Sequence, residues 1–296
     1  MRFSLRQLEV FLSVAQGESV SRAAEELAMS QSAVSGSLAD LERQFDVALF
    51  ERHGKRLRLS DLGRKVRPHA EAVIAQANEL EQALSAREEV GALRIGATLT
   101  VGNYLTAPLI AEFLRDEPGA RVSLKLENTA EIARSVRNFE LDVALVEGEL
   151  NDAELELSSF REDELVVFCA PEHAFARRRG LADADLVGAE WIVRESGSGT
   201  RQAFDHAMHG LLPKLKIAFE LQETEAIKSA VKAGLGVGCI SRIALEEAFR
   251  LGTLVPCRVP GRDFRRQFYS VVHRQKFKTR AIRRWLALCE RRRKPS

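Results

Sequence analysis

Three serines near the amino terminus, Ser4, Ser19 and Ser30, each stand directly before a run whose apolar residues recur at helical spacing. Ser4 with Gln7 forms a capping box, and Leu5, Leu8, Phe11, Leu12 and Ala15 follow on one face, which predicts a helix ending near Gly17. Ser19 opens a second helix with Ala23, Ala24 and Leu27 turned inward, the alanines being small enough for another helix to pack closely. Ser30 opens a third, with Val34, Leu38, Leu41 and Phe45 as its buried face. Only Ala28 and Met29 separate the second helix from the third cap. The chain must therefore turn sharply there, which places the third helix's amino terminus where it can enter a major groove.

The exposed start of that helix carries Gln31, Ser32 and Ser35, short hydrogen-bonding groups suited to base edges or phosphates, with Ser21 on the preceding helix as a further contact. Leu49 to Ser60 then reads as strand, Gly54-containing turn and strand, a small wing bearing Arg52, Lys55 and Arg56. Cations at such a tip bind phosphates and supply salt-dependent affinity without sequence information. On spacing alone, the same caps and periods would also serve a three-helix packing module.

The residues Ser19-Val20-Ser21-Arg22-Ala23-Ala24-Glu25-Glu26-Leu27, then Ser30-Gln31-Ser32-Ala33-Val34-Ser35, then Leu41-Glu42 and Ala48 to Arg52 resemble the signature of LysR-type transcriptional regulators. The resemblance implies a winged helix-turn-helix over residues 1–60 that binds double-stranded promoter DNA. Two positions depart from the family pattern. Ser32 stands where Pro is common, and Gly36 where an arginine that contacts DNA is common.

From Asp61 to Ala86 the pattern is one long helix, with Val66, Ala70, Val73, Ala77, Leu80 and Leu84 alternating steps of four and three. That is a heptad seam, although a helix packed on its own domain would look similar. The family resemblance favours a linker and dimerisation helix over residues 61–90, and implies a homodimer that assembles to a homotetramer, with RNA polymerase as a further candidate partner. Pro68 is tolerable only near the start of such a helix.

Beyond residue 91 short apolar runs alternate with helical periods: Leu93–Ala97, Val122–Leu126 and Val143–Val146, then Leu165–Cys169, Trp191–Val193, Ile217–Phe219 and Val237–Ile240. This is an α/β plan with a largely parallel sheet. It is most economically folded as a bilobed, periplasmic-binding-protein-like effector domain over residues 91–296. Lobe 1 takes about 91–161 and 267–296, and lobe 2 about 162–266. Ligands in such sheets gather at the carboxyl ends of strands. Thr98, Thr100 and Asn103 follow the first strand, while Glu195, Ser196, Gly197, Ser198 and Thr200 follow the Trp191 strand. Both loops precede helices, whose amino termini favour anions, and both would equally serve as ordinary caps.

These loops, with Asn128–Ile132, Val146–Gly148 and Thr224–Lys228, also resemble the CysL/YeiE-like branch of the family, associated with sulfur metabolism. That resemblance implies a small sulfur oxyanion, such as sulfite, as effector, with Glu225 added to the site. Glu147 ends the Val143 strand and should reach the cleft. A carboxylate there would reject fully ionised sulfate and admit an anion that still carries a proton; alternatively it caps the next helix or pairs with an arginine such as Arg201.

A formal net charge of +2 does not by itself announce a nucleic-acid binder. The charged start of the chain predicts no signal peptide, and no run reaches the length of a membrane span, so a cytoplasmic protein is expected. Cys169, Cys239, Cys257 and Cys289 form no CxxC pair, and Asp205, His206 and His209 lack a further ligand, so no metal and no cofactor are expected. No nucleophile, base and orienter cluster together in the loops, which argues against an enzyme. A plain solute-binding protein would lack the first ninety residues and carry an export signal.

Overall fold

The computed structural model describes residues 2–53, 56–84, 91–148 and 150–293. The first three helices are α1 (Leu5–Gly17), α2 (Val20–Glu26) and α3 (Gln31–Phe45), and each starts on its serine cap. Ser4 Oγ accepts from Gln7 N at 3.2 Å while Gln7 Oε1 accepts from Ser4 N at 3.0 Å. The tight turn before α3 is made by Ala28 in the left-handed region, φ 51, with Met29 N closing onto Ala24 O at 2.9 Å. Helix α1 ends at Gly17, and the left-handed conformation falls on the next residue, Glu18. Phe45, expected in the core, is 43% exposed and meets Phe3 instead, ring centroids 6.4 Å apart.

The wing consists of β1 (Phe50–His53) paired antiparallel with β2 (Arg56–Leu59). It is tied to α3 by Glu42, whose Oε1 accepts from Leu49 N at 2.7 Å and Phe50 N at 3.2 Å. A long helix, α4 (Asp61–Leu84), follows with Pro68 inside it. Its early residues Val66 and Ala70 pack into the core shared by α1, α2 and α3, so the first part of the seam is used within its own domain. Val73, Leu80 and Leu84 remain exposed, Leu84 at 77%.

The larger domain alternates strand and helix: β3 (Ala92–Thr98), α5 (Leu99–Val101) running into a π-helical turn at Gly102–Thr106, α6 (Ala107–Asp116), β4 (Arg121–Glu127), α7 (Thr129–Arg137) and β5 (Val143–Glu147). The fifteen-residue β6 (Leu155–Cys169) then crosses to a second unit, built from α8 (Asp183–Gly188), β7 (Glu190–Arg194), α9 (Gly199–Ala207), β8 (Lys216–Leu221), α10 (Thr224–Lys232), β9 (Val237–Ser241), α11 (Arg242–Arg250) and β10 (Val255–Cys257). Finally β11 (Arg265–His273) and α12 (Arg280–Arg291) return to the first unit.

The strand order is β4-β3-β5-β11-β6-β9-β7-β8, with β10 on β6. Strands β3, β4 and β5 are parallel, as are β7, β8 and β9, whereas β6 and β11 run antiparallel to their neighbours. Two lobes therefore share one pair of long strands as a hinge. The first lobe is centred on Trp285, which meets Phe113 edge-on with ring centroids 5.7 Å apart. The second is centred on Trp191 and Phe204. Because both triplets of parallel strands direct their carboxyl ends towards the gap between the lobes, that gap is where loops and helix starts meet.

Helix α4 also touches the first lobe. Arg67, 7% exposed, donates to the carbonyl of Asn138 and lies 5.7 Å from the ring centre of Phe139. Phe139 itself is held at φ 56. Several basic residues of α12 and its end are paired: Arg292 with Glu112 at 2.8 Å, Arg284 with Glu117 at 3.0 Å, and Arg283 with Glu79 of α4 at 3.7 Å.

Candidate DNA-binding surface and effector cleft

Ser21 of α2 and Gln31, Ser32, Ser35 and Gly36 of α3 are all exposed. Val34 and Leu38, on the opposite face of α3, are buried. Ser32 Oγ lies 3.0 Å from Ser30 Oγ, and a Cβ added at Gly36 would meet nothing within 4 Å. Arg52 is exposed on β1. Lys55, and the side chain of Arg56, lie outside the described residues.

The cleft is built from close backbone contact between the lobes. Ala130 N donates to Gly197 O at 3.2 Å. Gly199 N donates to Thr129 Oγ1 at 3.1 Å, and that hydroxyl donates on to Glu147 O at 2.9 Å. A Cβ at Gly199 would lie 2.0 Å from Glu147 O, so only glycine allows the approach. Gly197 adopts φ +87, a conformation L side chains rarely take.

Glu147 does not present a free carboxylate. Its Oε1 accepts from Thr200 Oγ1 at 3.1 Å, and its Oε2 lies 3.0 Å from Arg266 Nη2. Thr200 Oγ1 in turn accepts from Arg266 Nη1 at 3.0 Å, so this hydroxyl is engaged both as donor and as acceptor. Of the roles open to Glu147 in the sequence, pairing with an arginine is the one the geometry matches, with Arg266 in place of Arg201. Arg201 pairs instead with Asp205 at 2.9 Å and Glu220 at 2.8 Å.

Thr98 and Thr100 are buried, 1% and 2% exposed, and Thr98 Oγ1 has no hydrogen-bond partner. Asn103 is exposed. On the other side Ser198 caps α9, accepting from Thr200 N at 3.2 Å, and Ser196 is exposed. Glu195 is nearly buried and chelates Arg194, accepting from Nε at 2.8 Å and Nη2 at 3.0 Å.

Glu225 closes the gap further along the cleft, where it accepts from Tyr104 Oη at 2.6 Å and pairs with Lys228 at 2.9 Å. Burial alone would raise the Glu225 pKa. The hydrogen bonds from Tyr104 and Lys228, with the ammonium's charge, bring it below the ordinary carboxylate value. Burial and the same hydrogen bond push the Tyr104 phenol up, so the clasp holds as a neutral phenol donating to a carboxylate.

Sequence reasoning missed Arg194, Arg266 and Tyr104. Arg194 carried a signal, a charge in the fourth position of an otherwise apolar run, Trp191-Ile192-Val193-Arg194. Beside the hinge lies a cavity of about 910 Å³, bounded among others by Arg161, Asp163, His206, Arg242 and Arg266. Part of its charge is paired within its walls, Arg242 with Glu164 at 2.9 Å and Arg265 with Asp263 at 2.6 Å.

A helix-turn-helix with a wing, joined by a long helix to a two-lobed domain with a polar cleft, defines a ligand-responsive DNA-binding regulator. The bacterial regulatory helix-turn-helix protein, lysR family, matches residues 5–64, and the LysR substrate binding domain matches residues 86–294. The chain belongs to the LysR family of transcriptional regulators and is not an enzyme. It is 42% identical over 290 residues to the uncharacterized HTH-type transcriptional regulator YeiE of Escherichia coli, covering 98% of each chain. It is 32% identical over 244 residues to the HTH-type transcriptional regulator CysL of Bacillus subtilis, covering 81% of each. Its fold is similar to that of a full-length OxyR variant from Pseudomonas aeruginosa, with TM-score 0.75, 21% identity, and 98% and 95% of the two chains covered. The regulatory domain of CcmR from Synechocystis PCC6803, in complex with 2-PG, is 27% identical with TM-score 0.64, covering 69% of this chain and 98% of that one. Among the described residues no helix is long and apolar enough to cross a membrane.

Proposed function

We propose that this regulator senses a small oxyanion, of which sulfite is the leading candidate, in the cleft between Thr98 and Thr100 of one lobe and the Glu195–Thr200 loop of the other. The observation that supports an anion is Thr98 Oγ1, a buried hydroxyl without a partner at the end of β3, where an incoming oxygen would satisfy it. In the second-lobe loop Ser198 accepts from Thr200 N and keeps its own hydroxyl hydrogen, a neutral donor that can hold an oxygen without a full countercharge. The resemblance to the sulfur-metabolism branch supports sulfite within that class. A second reading is a small carboxylate or phosphorylated acid, supported by the 27%-identical CcmR domain bound to 2-PG.

Promoter DNA is read by Gln31, Ser32 and Ser35, with Ser21, Arg52, Lys55 and Arg56 on the phosphates. The working form is a cytoplasmic dimer of dimers, and effector binding shifts its DNA contacts only through a difference in affinity between two arrangements. RNA polymerase is a further partner for an activating arrangement.

Thermal unfolding with sulfite, sulfate, thiosulfate and small carboxylates tests the effector, because a ligand that binds only the folded state raises the transition. A rise with sulfite is expected. A rise with carboxylates alone transfers the site to the second reading, and no rise with any of them removes the anion. For the DNA face, Gln31→Ala and Ser35→Ala should erode discrimination between sites, while Arg56→Ala should weaken binding to all sequences and flatten its salt dependence. Equal retention of a promoter fragment by wild type and the triple variant would refute this face.

A further inference from the structure

Strand β7 ends in a charge that its packing does not call for. Trp191 and Val193 point into one core of the second lobe and Ile192 into the other. Arg194, two residues beyond Ile192, therefore shares the Ile192 face. Its side chain is 1% exposed. Glu195 occupies one edge of the guanidinium through Nε and Nη2. Nη1 is buried with no partner. An unmet donor on a buried cation is costly and is best explained by a group that arrives to meet it.

The facing lobe supplies a second such atom. Thr98 Oγ1 sits at the carboxyl end of β3, as Arg194 sits at the carboxyl end of β7. Tyr104, six residues after Thr98, packs against the cluster that contains Ile192. Tyr104 thus ties the end of the Thr98 segment to the cluster on the Ile192 face of β7, and its hydrogen bond to Glu225 fastens the two lobes there.

We propose that Arg194 pairs with the charge of the bound anion, with Thr98 as its counterpart across the cleft, and that Glu195 sets which charge state is admitted. This rests on the anion-sensing reading above and adds the residue that supplies the charge. The Arg194–Glu195 pair is net neutral. A singly charged oxyanion gains the free N–H edge of the cation at close range. A doubly charged one brings a second negative charge near Glu195 in a space where repulsion is poorly screened. Selection of singly charged oxyanions, such as the protonated fraction of sulfite, follows from the pair itself.

Calorimetry on the full chain, titrating sulfite and sulfate into wild type, Arg194→Gln and Glu195→Gln, tests this. Arg194→Gln should weaken sulfite by about tenfold or more, and Glu195→Gln should raise sulfate affinity relative to sulfite by about tenfold, since the countercharge is gone. A pair that merely braces the loop predicts the opposite for Glu195→Gln, a loss of thermal stability and weaker binding of both anions alike. That outcome, or unchanged sulfite binding in Arg194→Gln, overturns the assignment while leaving the anion-sensing reading in place. Failure of wild type to bind any oxyanion removes that reading and this assignment together. If Arg194→Gln does not fold, Arg194→Lys serves instead: the retained charge should keep sulfite binding, while the lost two-point hold on Glu195 should relax discrimination against sulfate. Loss of sulfite binding in a folded Arg194→Lys, with sulfate still rejected, would also overturn it.

Discussion

Arg266 reaches Glu147 across the hinge, Nη2 lying 3.0 Å from Oε2 with both side chains buried. The two atoms attract as charges without an aligned hydrogen bond, and Arg266 Nε also lies 2.7 Å from Asp163 Oδ2. Ser241 donates to the other oxygen of Asp163 at 2.7 Å. One guanidinium thus holds two buried carboxylates, one from β5 and one from β6, together with Thr200 of the opposite lobe. Arg266→Met should destabilise the protein by about 3–5 kcal/mol, because both carboxylates lose their countercharge. Thr200→Val removes hydrogen bonds but no charge and should cost about 1–3 kcal/mol. Denaturant unfolding of the two variants measures the difference, and equal losses would mean that the countercharge of Arg266 adds nothing beyond its hydrogen bonds.

Gly36 offers a gain of function. An added side chain meets nothing within 4 Å, and the position lies in the exposed middle of α3. Gly36→Arg should stabilise the helix by up to about 1 kcal/mol. It should also tighten DNA binding, with a salt dependence steeper by about one unit of slope if the new cation meets a phosphate. Fluorescence anisotropy against salt concentration reads both the affinity and the slope. An unchanged slope would place Gly36 away from the DNA.

The linker seam divides into two parts with different consequences. Ala70, 3% exposed, belongs to the core of the amino-terminal domain, whereas Val73 and Leu80 are 39% and 61% exposed. Val73→Glu with Leu80→Glu should lower the mass seen by light scattering and leave the chain folded, since charges in a seam oppose pairing. Ala70→Glu should unfold the amino-terminal domain. A double variant of unchanged mass would remove the seam from the assembly.

His273 predicts a pH dependence of stability. It is buried, with its ring centre 4.2 Å from that of Phe139. Burial and then the charges of Lys276 and Arg67, against the opposing charge of Asp152, lower its pKa to about 4. An unfolded histidine titrates near about 6.5. The unfolded chain therefore takes up the proton first, so this contribution is complete above the unfolded value and is lost as pH falls from there towards the folded one. Urea midpoints should decline over that interval, and His273→Gln should flatten the decline. A wild-type midpoint that stays constant would show that the ring is not held neutral by the fold.

Local signals were strong in the first sixty residues, where caps sit beside the helices they start and a capping box needs only four consecutive residues. Ser4, Ser19 and Ser30 each satisfy a backbone N–H three residues on, a relation fixed by spacing alone. The helix-turn-helix and the alternating α/β plan follow from the same short-range chemistry. The cleft loops were legible as places, because strand ends and helix starts recur in sequence. Their occupancy was not. Thr200 looks like a free hydroxyl until Arg266 is placed beside it.

Sequence alone determined the three amino-terminal helices and their starts, the apolar centres of most strands, and that two lobes would meet at polar loops, since these depend on periodicity and on caps within one turn; the first ten residues of β6, from Leu155, carry no such pattern. Only the tertiary structure decided how the charges are spent. Arg266 follows Asp163 by 103 residues, and Cys169 and Cys257, 88 residues apart, bring their sulfurs within 3.4 Å. No pattern in the chain marks such partners, because a side chain's pairing depends on which distant strand the sheet sets opposite it. The same holds for Arg194: its charge is visible in the sequence, but the buried, unmet Nη1 exists only in the folded chain, where Glu195 takes the other edge.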